Sequence, residues 1–426
     1  MKRRGFKPPL CSPEATFSPA PVKQPVIRDI PGGVTAVKAV RASGVFCGIK
    51  RIKPDLALVV SDRPATVAGV TTVNRVKAPP VLLCERQLRY GRFSAVVANS
   101  GNANACTGRE GAQDALAMRD RLSRLLGRPP QEVFVASTGV IGKRLPISRI
   151  LTGIPEAARM LSAKGGGAAA RAIMTTDTFP KEAAVSFELG GRKVVIGGIA
   201  KGSGMIAPNL ATMLCFVATD AAVSAALLRR TLRQVVADTF NAITVDACMS
   251  TNDTVLLFAN GASNAPRLSV GDGSLRVFKE ALHRVLSRLA RMIAKDGEGA
   301  TKLIRIEVKG SRTAAEAMRA ARAVADSALV KTAFFGEDCN WGRIVAALGA
   351  SGIRFDPLRV EIAVDGIAVV LRGIGLGRLK ERLAERQMRR PEFTLTIDLH
   401  GGRGAATILT TDLSGDYVRI NAGYRS

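Results

Sequence analysis

Along this chain, short runs of β-branched and apolar residues alternate with longer segments whose apolar positions recur three or four apart. The short runs predict strands at LALVVS from Leu56, FSAVVA from Phe93, EVFVAS from Glu132 and KVVIGGI from Lys193. Further strands are predicted at DTVLLFA from Asp253, LIRIEVKG from Leu303, VEIAVDGIAVVL from Val360 and FTLTIDLH from Phe393. The longer segments predict amphipathic helices at DALAMRDRLSRLLG from Asp114, SAALLRRTLRQVVADTF from Ser224, VFKEALHRVLSRLARMIA from Val277 and AAEAMRAARAVADSA from Ala314. No internal repeat and no regular series of βαβ units emerges, so the pattern predicts an α+β fold of packed sheet and helix layers, not a doubly wound parallel sheet. The chain has 426 residues, more than one hydrophobic core usually serves, so two domains or one large sandwich are expected. Residues 1–30, rich in proline and base and nearly free of acid, are expected to be a disordered tail. Its prolines argue against an amphipathic organelle-targeting helix, which leaves a cytoplasmic protein expected and a mitochondrial one as the alternative.

Between these elements lie stretches that follow neither period and concentrate Gly, Asn, Ser and Thr: NSGNANACTG from Asn99, ASTGVIG from Ala136, MTTDTFPK from Met174, KGSGMIAPNLATML from Lys201, VDACMSTNDT from Val245, DGEGATK from Asp296 and FGEDCNWGR from Phe335. Each alone reads as a connecting loop. Together they matter because ordinary catalytic groups are scarce. The chain has two histidines, His283 and His400, and seven cysteines with no C-x-x-C spacing, so zinc is not expected and the thiols read as reduced packing residues. Two histidines cannot readily supply a Ser-His-Asp arrangement and its support, so any chemistry falls to hydroxyls and amides. Phosphate motifs fail: Gly197 and Gly202 have P-loop spacing, but Ser203 and Gly204 stand where Lys and Ser or Thr are needed, and GIGLG from Gly373 lacks the third glycine of a dinucleotide fingerprint.

The formal net charge of +27 would suit an anionic partner. The basic residues are spread along helical segments such as LLRRTLRQVV and RQMRRPEF, and aromatics make up 4% of the chain. A solvated arginine-rich surface therefore accounts for the charge better than a nucleic-acid site does.

A hydroxyl can work without histidine when it sits on a chain N-terminus, where its own α-amine serves as base. Thr212, which heads the apolar run MLCFVA after Pro208, Asn209, Leu210 and Ala211, could become such a residue, although its local pattern is that of any threonine opening a strand. Taken together, KGSGMIAPNLATML, STGVIG, NSGNANACTG, LVKTAFFGEDCNWGRI and DYVRINAGYRS resemble the ornithine acetyltransferase family of arginine biosynthesis, from about Gly32 to Ser426.

The resemblance implies a layered fold of that type and self-cleavage between Ala211 and Thr212. It implies fragments 31–211 and 212–426, two copies of each assembling into a heterotetramer. Thr212 would be the nucleophile, with Thr138 and Gly139 as the oxyanion hole. Thr175, Lys201, Thr212, Glu298, Asn421 and Ser426 would bind substrate, with Thr176 as the neighbour onto which the first assignment could slip. The implied reaction moves an acetyl group from N-acetylornithine to glutamate without metal or cofactor, and acetyl-CoA stays open as a second donor. Cys248 and Met249, where small or acidic residues are usual, and Cys339, where proline is common, depart from the family pattern and are expected beside the site. Two other readings remain: a self-processing amidase or aminopeptidase of related fold, and a basic nucleic-acid-binding protein without catalysis.

Overall fold

The computed structural model describes residues 26–207, 213–271 and 273–423. Among these, nine strands form one mixed sheet. Its order runs Arg28–Ile30, Lys181–Leu189, Arg192–Lys201, Leu214–Thr219, Thr254–Ala259, Leu56–Thr71, Arg92–Asn102, Val133–Val140, with Val40–Val45 also paired to Leu56–Thr71. Two neighbours are parallel, Leu214–Thr219 with Thr254–Ala259 and Arg92–Asn102 with Val133–Val140, and the others are antiparallel.

Side chains alternate across a strand, and here that alternation sorts the core into layers. In the strand from Leu214, Cys215 and Val217 join a cluster with Leu228 and Val235 of the helix Ala225–Ala237 and Leu282 and Leu289 of the helix Ser274–Lys295. Leu214, Phe216 and Ala218 point to the other face, into a cluster with Val59, Phe93, Val96 and Phe134. The alternate residues of those last strands, such as Leu58, Val97 and Val135, pack on Met118 and Ile154 of the helices Gly108–Leu126 and Ile147–Arg159. The order is thus helix, sheet, sheet, helix. The long strand Leu56–Thr71 pairs in both halves, so the sheet folds onto itself around Phe93, which stacks on Phe258 with ring centroids 4.1 Å apart. Both faces of most strands are covered, which is why their sequences read as unbroken apolar runs.

A second sheet of six strands carries its own core under the helices Ala314–Asp326, Trp341–Gly349 and Arg378–Met388. The segment VEIAVDGIAVVL, read as one strand, is a hairpin: Glu361–Val364 and Ile367–Leu371 flank Asp365 (φ 43°) and Gly366 (φ 80°), the positive-φ pair that a two-residue turn requires.

The expected tail ends earlier than residue 30. Arg28–Ile30 pairs with Ala184–Ser186, and Asp29 is held by Arg284 and Arg288. The expected cut between residues 211 and 212 falls between two neighbouring strands of the first sheet. Arg192–Lys201 and Leu214–Thr219 stand on opposite sides of it and are hydrogen-bonded neighbours, so fragments cut there share one sheet.

Candidate active site

Three chain stretches meet where strands of the two sheet halves end. The parallel pairing of Arg92–Asn102 with Val133–Val140 sets Ser100 opposite Thr138 and Gly101 opposite Gly139. Gly139 has φ 130°, and a Cβ there would lie 2.4 Å from the carbonyl carbon of Gly101, so only glycine lets the backbones approach this closely. From the other half, the strand Arg192–Lys201 delivers Lys201, 2% exposed, whose Nζ donates to Thr138 Oγ1 at 3.4 Å. Gly204 continues that turn against Glu298: a Cβ would sit 2.3 Å from the carboxyl carbon, while Glu298 N–H donates to Ser203 O at 2.9 Å.

The stretch MTTDTFPK wraps around Asp177. Its carboxylate accepts from Thr175 N (2.9 Å), Gly202 N (2.7 Å) and Lys181 Nζ (2.7 Å), and Lys181 also donates to Asp296 Oδ2 at 2.6 Å. Asp296 closes the unit by accepting from Thr178 N at 3.0 Å and from the Thr178 hydroxyl. Burial alone would raise Asp177, but the charges of Lys201 and Lys181 and the bonds from Lys181 and Gly202 hold it at about 2. Lys201 is pushed down by burial, against the pull of Asp177.

At the C-terminal end, the helix Gly415–Gly423 brings Asn421 Nδ2 to Glu298 Oε2 at 2.9 Å and Tyr417 Oη to Asp246 Oδ2 at 3.3 Å. Burial raises Asp246 although three backbone N–H groups bond to it. The loop from Val245 to Thr254 completes the wall, with Asn252 Nδ2 donating to Ala103 O (2.6 Å) and Ser137 O (2.8 Å).

The result is a cavity of about 200 Å³ lined by Thr138, Gly139, Thr175, Lys201, Glu298 and Asn421. All six were singled out in the sequence, and they come together from segments far apart in the chain. Thr176 lines the cavity as well and shares a 2.7 Å hydrogen bond with Ser203. Ala211, Thr212 and Ser426 lie outside the described residues. One expectation is corrected: Cys248 is on the cavity wall, not beside it, because the Asp246–Cys248 turn is tied to the wall through Asp246 Oδ1 and Cys248 N. Cys339 is remote from the cavity, in the core of the second sheet. Sequence reasoning missed Asp177, Asp246, Asp253 and Tyr417. The one signal for the three acids was their place inside runs of small polar residues, in a chain with 35 acids against 62 bases.

The ArgJ family model matches residues 41–426. An arginine biosynthesis bifunctional protein ArgJ of Symbiobacterium thermophilum is 52% identical over 398 residues, which is 93% of this chain and 99% of that one. Its namesake in Geobacter sulfurreducens is 51% identical over 391 residues, covering 92% and 100%. A crystal structure of ornithine acetyltransferase complexed with ornithine, from Mycobacterium tuberculosis, is similar at 40% identity over 44% of this chain and 100% of that one, with a TM-score of 0.41.

Proposed function

The chain belongs to the ArgJ family, and from that premise we propose that it is an acetyltransferase of arginine biosynthesis. It cuts itself between Ala211 and Thr212 and then moves the acetyl group of N2-acetyl-L-ornithine to L-glutamate through an ester on Thr212. The observation that carries this reading is the convergence of Thr138, Gly139, Thr175, Lys201, Glu298 and Asn421 on one cavity. The loop that lines that cavity also binds Met213 N through Asp253, and Met213 follows Thr212 in the chain.

In this reading the Thr212 hydroxyl, deprotonated by the α-amine of the same residue, attacks the acetyl carbonyl of acetylornithine. The negative oxygen that forms is met by donors from Thr138 and Gly139, each worth about 3 kcal/mol. Collapse breaks the amide bond, the departing amine takes the proton, and ornithine leaves. Glutamate then enters the same cavity, its amine attacks the acetyl ester, and N-acetylglutamate leaves with Thr212 restored.

Both amino acids carry an α-carboxylate, which suits the buried ammonium of Lys201. An amino group suits Glu298, held in place by Asn421. A cation and a carboxylate so arranged favour an amino acid over water as acceptor, which argues against the amidase reading. The bifunctional name shared by the relatives supports acetyl-CoA as a second donor for glutamate. No metal or cofactor is needed for either step. Two copies of each fragment form the enzyme in the cytoplasm, and among the described residues no helix is long and apolar enough to cross a membrane.

Intact mass and N-terminal sequencing of the purified protein, together with transfer assays on wild type and Thr212→Ala, test the reading. Two fragments, the second beginning at Thr212, are expected from wild type and one inactive chain from the variant. An active, uncut wild type would refute it. Free CoA released from acetyl-CoA and glutamate alone establishes the second donor, and activity confined to acetylornithine excludes it.

A further inference from the structure

Acetylornithine and glutamate differ most at the end of the side chain. In the donor the α-amine carries the acetyl group, so the free ammonium lies at the side-chain end; in the acceptor that end is a carboxylate. On the function proposed above, on which this inference rests, one cavity of about 200 Å³ receives the two in turn. Opposite charges must therefore be accepted at one place. Among the described residues, the charged side chains on the wall are Lys201, Asp246 and Glu298. Lys201 serves the α-carboxylate common to both substrates, which leaves the two acids for the end that varies.

The acids share one wall. Consecutive residues touch them: a Cβ at Gly204 would collide with the Glu298 carboxyl group, and Met205 N donates to Asp246 Oδ2 at 2.7 Å. One turn of the helix Gly415–Gly423 spans them as well, with Tyr417 Oη donating to Asp246 Oδ2 at 3.3 Å and Asn421 Nδ2 to Glu298 Oε2 at 2.9 Å. Asp246 Oδ1 accepts from Ile206 N (2.9 Å) and Cys248 N (3.1 Å), so the backbone fixes the carboxyl plane. Two fixed anions suit an ammonium and repel a carboxylate. Tyr417 lines the cavity beside them, and its hydroxyl can donate to a carboxylate or accept from a carboxylic acid.

We propose that Asp246 and Tyr417 form a proton-operated specificity subsite, which lets one cavity take a side-chain ammonium or a side-chain carboxylate. With the ammonium bound, Asp246 is ionised, Tyr417 donates to it, and the tyrosine oxygen and the two carboxylates face the cation. With glutamate bound, Asp246 holds one proton from solvent on Oδ2 and donates it to Tyr417 Oη. The tyrosine hydrogen then turns into the cavity and meets the γ-carboxylate. No bond between heavy atoms changes, and the proton returns to water when the acetylated product leaves. Burial raises Asp246 against its three backbone N–H bonds, and the Glu298 charge adds to the rise, which lowers the cost of that proton. The other titratable groups facing Asp246 among the described residues are the Cys248 thiol on the same turn and the Lys331 ammonium of the helix Ala328–Phe335.

Calorimetric titration of the purified enzyme with glutamate and with ornithine, in buffers of different ionisation enthalpy, counts the protons bound with each ligand. The ligands share their α-groups, so the difference between them reports the side-chain end. Above the free-enzyme value of Asp246 glutamate takes up a proton, and below it ornithine releases one. In either window glutamate should bind with about one proton more. Acetyl transfer gives a second readout, since in a ping-pong cycle kcat/KM for each substrate reports its own half-reaction. Tyr417→Phe leaves no donor for the γ-carboxylate and should lower kcat/KM for glutamate relative to acetylornithine by about 10-fold or more. Asp246→Asn, whose amide resembles the protonated acid, should shift that ratio the other way and abolish the difference in proton uptake. Equal proton uptake by the two ligands in wild type, or an unchanged ratio in Tyr417→Phe, overturns the proposal. If Asp246→Asn fails to fold because Met205 N loses its acceptor, the wild-type titration and Tyr417→Phe decide. An enzyme that makes no N-acetylglutamate would sink the proposed function instead, whereas equal uptake by two ligands that both bind sinks only this subsite.

Discussion

Asp177→Asn perturbs the site without changing its shape, and its cost can be worked from the packing. Asp177 and Lys181 are fully buried side chains, and Asp296 is 3% exposed. The wild-type unit sets two carboxylates against Lys181, with the Lys201 ammonium close by. Removing one member of a buried ion pair costs about 3–5 kcal/mol, because the partner charge stays buried. Lys181 keeps Asp296 at 2.6 Å, which puts the expected loss near the low end, about 3 kcal/mol. For a cooperative unit of roughly 200 residues that corresponds to a melting point lower by about 6–12 °C.

The pH dependence has a definite sign. Asp177 is held at about 2 against an ordinary 3.8, so its contribution, about 2 kcal/mol, is complete above the ordinary value and is lost as pH falls toward 2. The wild-type melting point should therefore drop more steeply than that of the Asn variant between pH 4 and 2. Function should follow. With the neighbouring anion gone, the Lys201 ammonium is less favoured, so KM for glutamate should rise more than kcat falls. Scanning calorimetry on wild type, Asp177→Asn, Lys181→Met and the double variant measures the stability part, and the two single losses should sum to clearly more than the double. A single variant melting within a degree of wild type, or strict additivity, refutes the role of Asp177 as counter-charge to both lysines.

Thr138→Val keeps the shape of the strand end but removes the hydroxyl near Lys201 Nζ, and kcat for acetyl transfer should fall by about 10²-fold if that hydroxyl meets the negative oxygen. An unchanged kcat would assign the stabilisation to backbone donors alone. Lys331 donates to Thr410 and Thr411 hydroxyls, and burial pushes it down to about 8 from 10.5. The unfolded chain binds the extra proton between those values, so stability should rise across that window by about 3 kcal/mol; calorimetry should find the rise missing in Lys331→Met. Cys248 is exposed on the cavity wall, and partial desolvation of its thiol, with the charges of Asp246 and Asp326 nearby, raises it. N-ethylmaleimide should inactivate the enzyme faster at alkaline pH and more slowly with ornithine present, with Cys248→Ser resistant; equal inactivation of that variant would place the sensitive thiol elsewhere.

Apart from VEIAVDGIAVVL, which is two strands and not one, each strand and helix candidate named from periodicity corresponds to an element of the fold, because core burial imposes those periods directly. Some of the elements without a sequence signal bury small residues or run against local propensity. The helix Gly166–Ala172 is built from glycine and alanine so that Gly165 can pass Ala42 and Gly44 can pass Ala168. The helix Ile147–Arg159 runs through Pro155, which local propensity would have ended there, because Ile150, Ile154 and Ala157 are needed against Leu58 and Val97. For the site the limit is different in kind. Thr138, Lys201 and Glu298 could be named because the set of short motifs resembles a family, not because their spacing implies a cavity. The groups that hold them work across long separations: Asp177 to Gly202, Lys181 to Asp296 and Asp246 to Tyr417 are 25, 115 and 171 residues apart. No local pattern encodes such a pairing. What the sequence does carry is its consequence, since an aspartate in TTDT or TNDT lies in a run with no apolar period to explain it. In a chain this basic, an acid kept in a loop of hydroxyls and amides has either solvent or a buried donor as its partner. The burial of Asp177 and Asp253 decides for the second, and it makes such acids the first positions to question when catalytic histidine is scarce.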